Sequence, residues 1–292
     1  DILFVFTANP EDYTNRGSIV TPLKDRIQSQ ILTHYPRTID TALAITGQEA
    51  KIPAEQESIV KCNKLINRLI EQISFEARNS EYVDKKSGVS ARLSISAFQN
   101  AVSAAERRAI LNKENSTQVW LSDLTGIIPS ITGKIELVYE GEQEGPFQVA
   151  INLLEKAIRS QYAESAFPNP DLIKKKKNQS GNEENPYRHV IQWFDNNSGI
   201  NLYFNISDRE KINRLYQING LHALVETYYP GLNEEETALM MEFALYGLAS
   251  YSYLSKKIIS DHVSFTDLIG SMLNFGNASA FRDDELDEED FS

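Results

Sequence analysis

Histidine, cysteine and serine are the residue types that most often carry chemistry, and their spacing here excludes several reactions. His34, His189, His222 and His262 form no i, i+4 pair and have no cysteine beside them, which argues against a zinc centre. No Gly-x-Ser-x-Gly turn exists to expose a nucleophilic serine. Gly133-Lys134 is not a phosphate-binding loop, because Gly126 stands at the wrong spacing and Ile135 replaces the required Ser or Thr. Asp284-Glu285 follows no apolar strand, so it is not the carboxylate pair that holds magnesium beside such a loop. By residue chemistry alone the chain contains no self-sufficient catalytic centre.

Two positions near the N-terminus are more specific. Asn9 lies just past the apolar run Ile2-Leu3-Phe4-Val5-Phe6. In an open α/β sheet, ligand chemistry gathers at the carboxyl ends of strands, where an amide can orient a water or touch a phosphate oxygen. Asn9-Pro10 is also simply a good turn. Arg26 follows Asp25, a carboxylate able to hold the guanidinium as a fork for phosphate charge, and an arginine donated to a neighbouring subunit can stabilise phosphoryl transfer. The plainer reading of Asp25-Arg26 is a surface ion pair contributing under about 1 kcal/mol.

The elements that must position these residues can be traced from apolar spacing. Residues 2–8 read as a short strand, 21–26 as a helix start, and 31–35 as another short strand. Helical spacing covers 38–50 and 54–77, where Ile59, Cys62, Leu65, Ile66, Leu69, Ile70 and Ile73 share a face. Residues 79–90 are polar loop, 94–112 helix, 118–128 helix ended by Pro129, 134–139 a strand or extended arm, and 147–162 amphipathic helix. The stretch 168–186, with Lys174 to Lys177 and an Asn/Gln/Ser/Gly/Glu run, predicts a mobile linker. Beyond it come a helix at 187–197, an extended segment at 199–206, one or two helices at 207–229 and a long helix at 233–257. That last helix carries the stripe Met240, Met241, Phe243, Tyr246, Tyr251 and Tyr253, which reads as core or as a groove for a partner.

Composition bounds the function. A net charge of -12 argues against nucleic acid as a main partner, because phosphate contacts need a basic surface. The acidic block Asp283 to Asp290 is self-repelling and predicts a disordered tail. No apolar run approaches the roughly 20 residues of a membrane span. Cys62 is the only cysteine, which excludes an intramolecular disulfide and fits a reducing cytoplasm. A buried strand as the first element reads as a chain that begins in mid-domain.

The run Phe6-Thr7-Ala8-Asn9-Pro10-Glu11-Asp12-Tyr13-Thr14-Asn15-Arg16-Gly17, followed by Pro22-Leu23-Lys24-Asp25-Arg26-Ile27, resembles the sensor 1 to arginine-finger segment of AAA+ ATPases. It is most similar to the magnesium chelatase ATPase-subunit branch and its MoxR-like relatives. Gly88-Val89-Ser90-Ala91-Arg92-Leu93-Ser94 resembles the start of the lid helix that carries sensor 2, and Ser122-Asp123-Leu124 through Leu137 resembles a bacterial magnesium-chelatase-like subgroup. The resemblance implies Asn9 as sensor 1, Arg26 as the finger acting in trans, and Arg92 as the phosphate-contacting residue in cis. It also implies ATP and Mg²⁺ in the full-length protein, a homo-oligomeric ring, and a von Willebrand factor A-domain protein as a partner. The Walker A and B segments of that family are missing from these residues, so the piece alone is expected to bind no cofactor and to be inactive.

The implied fold is mainly α. A remnant of an AAA+ α/β core (1–37) leads into a helical lid with a small β element (38–140), then an amphipathic helix (141–167). A flexible linker (168–186), a C-terminal helical domain (187–275) and an acidic tail (276–292) follow. The rival reading is a helical protein-interaction module with no nucleotide role. A σ54-type activator is disfavoured, because no basic DNA-binding helix pair closes the chain.

Overall fold

A computed structural model describes residues 3–7, 22, 25–85, 88–177 and 185–268. Helices dominate, as the apolar spacing predicts, and two small sheets accompany them. Asn9 and the acidic tail lie outside the described residues.

The first half is a bundle. Helix α1 (Ile39–Glu49) starts where the Thr38 hydroxyl accepts from the Thr41 amide at 3.2 Å. After α2 (Ala54–Ile59) the chain straightens into β1 (Val60–Lys61), and Asn63 caps the Leu65 amide at 2.9 Å to begin α3 (Lys64–Asn79). The single helix expected over 54–77 is therefore two. The straight segment pairs in parallel with β2 (Thr117–Gln118), a partner more than fifty residues away. Helix α4 (Leu93–Asn112) buries Leu93, Ala97, Ala101, Val102 and Ala105, and its alanines let neighbouring helices approach.

The helix expected over 118–128 is a 3₁₀ turn at Ser122–Ile127, continued by α5 (Ile128–Thr132). Side-chain carboxylates take the amides of Trp120, Leu121 and Ser122, which removes the need for helical bonds there. Pro129 sits in the first turn of α5, where its missing N–H costs nothing, so it does not end the element. The expected arm at 134–139 bridges the loop before α4 at Val83↔Leu137 and Val89↔Ile135. Then α6 (Tyr139–Glu144) and α7 (Pro146–Ala163) follow, with Val149, Leu153, Leu154, Ala157 and Ile158 packed inward.

Within the stretch expected as linker, residues Pro170–Lys177 form α8, held by Lys174 Nζ on the Tyr251 carbonyl (2.7 Å) and by Arg159 on Asp171 (2.9 Å). The remaining elements are α9 (Arg188–Asn196), β3 (Ile200–Tyr203), α10 (Asp208–Tyr216), α11 (Leu221–Tyr228) and α12 (Glu234–Ser250). The chain closes with β4 (Ser255–Ile258) and β5 (His262–Thr266), in an antiparallel sheet of order β3-β5-β4. The long helix expected to 257 thus ends seven residues early. Ser252 adopts φ 56°, the Tyr253 amide returns to the Leu248 carbonyl, and the chain turns into a strand.

One apolar cluster runs from Val60 to Phe265 through both halves. Helix α12 crosses α7 at Gly247, where a Cβ would stand 2.1 Å from the Tyr162 ring, so only glycine permits this approach. Met240, Met241, Phe243, Tyr246 and Tyr251 are all buried in this core.

Two expected strands are not formed. Residues 3–7 pair with nothing among the described residues, and Leu3, Phe4, Val5 and Phe6 are exposed. Residues 31–35 are likewise unpaired. Apolar content alone makes no strand; a ladder partner is required.

Candidate functional site

Arg92 stands at the N-cap of α4 with its side chain exposed, and no ion pair involving it occurs among the described residues. The loop that presents it is tightly set. Gly88 donates to the Asp84 carbonyl at 2.9 Å, and a Cβ on Gly88 would fall 1.9 Å from that same oxygen. Ser90 donates from its amide to Lys134 and accepts the Arg92 amide at its hydroxyl, 3.2 Å away. Leu93, one residue on, is fully buried and anchors the turn. No side chain caps α4 and no acidic residue occupies its first turn. The Arg92 and Leu93 amides are taken by the Ser90 hydroxyl and carbonyl (3.2 and 3.0 Å), so it is the exposed guanidinium at the helix start that is suited to an anion such as a phosphate.

Arg26 lies in an exposed turn and makes no ion pair with Asp25 among the described residues, so the fork foreseen beside that carboxylate is not assembled here. Among the described residues no hydrogen bond or ion pair links the Arg26 segment to Arg92 itself. Among the described residues a link leads from the Arg26 segment to the Arg92 loop: the Tyr35 hydroxyl donates to the Val89 carbonyl, and the Arg78 guanidinium lies 4.2 Å from the Tyr35 ring centroid.

A second constellation was not foreseen from the sequence. Arg108 on α4 is 1% exposed and donates to Asp123 from Nε and Nη2 (both 3.1 Å), to Thr117 Oγ1 (3.0 Å), to the Gln118 carbonyl (2.9 Å) and to Asp208. Asp208 also accepts from Trp120 Nε1 at 2.7 Å and from the Thr117 hydroxyl at 2.8 Å. Deeper in, Lys211 Nζ donates to the Ser122 hydroxyl, while the Glu242 carboxylate accepts the Leu121 and Ser122 amides at 2.9 and 3.1 Å. Burial works against the Arg108 charge, yet Asp123 and Asp208 more than offset it and its pKa rises. Burial lowers Lys211 and raises Glu242, and each is opposed by the other's charge.

A serine hydroxyl beside a lysine amine of lowered pKa is a pairing that some hydrolases use as nucleophile and base. Here Ser122 and Lys211 are both 0% exposed, so no substrate reaches them. The network is a clamp. It joins α4 and the 3₁₀ turn to α10 and α12, and thereby the first half of the bundle to the second. Its sequence signals were Glu242 inside the apolar run Ala238–Leu245 and Lys211 beside Ile212, since isolated charges on apolar faces mark buried pairs.

Among the described residues no group of His, Cys, Asp and Glu is placed to hold a metal ion. No helix there is long and apolar enough to cross a membrane. A scan against protein-family models and searches of curated proteins and of solved structures found no match to this chain.

Proposed function

We propose that this chain is the sensing and lid part of a magnesium-chelatase-like or MoxR-like AAA+ ATPase. The full-length protein would work as a homo-oligomeric ring, with ATP and Mg²⁺, to remodel a partner or insert a metal ion. The observation that carries the reading is Arg92: an exposed guanidinium with no ion pair among the described residues, at a helix start without a side-chain cap, held by a glycine-dependent loop. That arrangement suits contact with a nucleotide phosphate in cis. Arg26, exposed on a separate segment, suits contact in trans with a neighbouring subunit's nucleotide. The phosphate-binding loop and the Mg²⁺ ligands are supplied, in this reading, by other residues of the full-length protein. A von Willebrand factor A-domain protein is the partner the resemblance suggests.

The rival interaction-module reading placed its docking face on the Met and Tyr stripe. Most of that stripe is core in this chain, so the stripe offers a partner little free surface. The deciding experiment is Arg26→Ala in the full-length protein, with ATP binding and hydrolysis measured separately. Hydrolysis should be lost while binding persists; undiminished turnover would refute the assignment.

A further inference from the structure

Resting on the lid reading, we infer that Tyr35 is a positioning residue that ties the Arg26 segment to the loop presenting Arg92. Val89 and Ile135 face each other as a pair whose ladder bonds are made by their neighbours: Ser90 N–H to Lys134 and Glu136 N–H to Gly88, both at 2.9 Å. In such a pair the residue's own carbonyl points away from the partner arm. The Val89 carbonyl therefore faces outward, and the Tyr35 hydroxyl donates to it. Val89 lies three residues before Arg92, inside the loop whose geometry Gly88 makes possible.

Tyr35 is itself held in place. The Arg78 guanidinium stacks 4.2 Å from its ring centroid and 5.1 Å from that of Phe75. Arg78 Nε is buried and has no hydrogen-bond partner, so this end of the side chain is committed to stacking and not to an ion pair. No other hydrogen bond leaves residues 25–36 for the bundle among the described residues. Among the hydrogen bonds of the described residues, it is the Tyr35 hydroxyl that connects the segment bearing the trans arginine to the loop bearing the cis arginine. A displacement of either segment is felt by the other through Val89. Misplacing a phosphate-contacting group by about 1 Å can cost on the order of 100-fold in rate.

The test compares Tyr35→Phe, which keeps the ring and its stack but loses the hydroxyl, with Arg92→Ala in the full-length protein. Steady-state ATP turnover is read alongside amide hydrogen exchange at 88–92 and melting temperature. Tyr35→Phe should lower kcat about threefold to tenfold, the worth of one hydrogen bond. KM and melting temperature should stay near wild type, and amides 88–92 should exchange faster. Combined with Arg92→Ala, it should add no further loss of turnover, because both act through one group. Unchanged kcat in Tyr35→Phe, alongside a loss in Arg92→Ala, overturns the positioning role and leaves the lid reading standing. Unchanged turnover in Arg92→Ala instead removes the lid reading. Exchange at 88–92 then judges the tie alone: faster exchange in Tyr35→Phe supports it, and unaltered exchange overturns it.

Discussion

Replacing Arg108 by methionine should be among the most damaging single changes available in this chain. The guanidinium is 1% exposed, and its donors reach Asp123, Asp208, Thr117 Oγ1 and the Gln118 carbonyl. Methionine fills much of the same space, so the loss is chiefly electrostatic. Asp123, 3% exposed, and Asp208, 13% exposed, would remain as carboxylates with no guanidinium between them. Removing one partner of a buried ion pair typically costs about 3–5 kcal/mol, because the remaining charge stays desolvated. For a chain of this size that is a fall in melting temperature of roughly 5–8 °C. Arg159 pairs with Asp171 at 2.9 Å, but both side chains are nearly half exposed. Arg159→Met should therefore cost no more than about 1 kcal/mol in ion pairing, allowing for screening by solvent. Urea denaturation followed by fluorescence suits the comparison, because Trp120 donates to Asp208 inside the affected network. Converting Asp208 to asparagine in the Arg108→Met background should recover part of the deficit, since one uncompensated charge is removed. A loss below about 1 kcal/mol for Arg108→Met would mean that the buried pairing contributes little and that the clamp is misread.

Two further outcomes follow from the same electrostatics. Cys62 is partly buried against the core, and desolvation pushes its thiol up to about 12, so thiolate is scarce at pH 8 in the folded chain. Native protein should react with a disulfide reagent far more slowly than urea-unfolded protein, and equal rates would contradict the burial. Burial also raises Glu242 above the ordinary glutamate value of 4.5. The folded chain keeps that proton at a pH where the unfolded chain has released it, so stability falls as pH climbs from 4.5 towards the raised value. Glu242→Gln removes this dependence while losing one of the two amide contacts. The stability gap between variant and wild type should narrow as pH rises through that window, and parallel pH profiles would count against it.

Much of the helical framework was legible in the sequence, because 3.6-residue apolar spacing is a local property. The face of Ile66, Leu69, Ile70 and Ile73 is buried as that spacing predicts, and α7 matches its expected range within a residue at each end. The strands were harder. The alternation His262-Val263-Ser264-Phe265-Thr266 was present, with Val263 and Phe265 buried, but the helical run before it masked the signal. Conversely, Ile2 to Phe6 is apolar enough for a strand, yet residues 3–7 find no ladder among the described residues.

The candidate site divides along the same line. Arg92 was singled out through the resemblance of a short local pattern, Gly88 to Ser94; the structure adds its exposed place at the start of α4, and its role stands as a proposal. What only tertiary structure decided are the pairings across long separations: Tyr35 with Val89, Arg108 with Asp208, Lys211 with Ser122. Each joins groups fifty or more residues apart. Local propensity sees a tyrosine, an arginine or a lysine and assigns it to the surface. Burial by the surrounding helices makes the Arg108 and Lys211 contacts strong, because charges and hydrogen bonds removed from water are no longer screened by it, whereas Tyr35 stays 41% exposed.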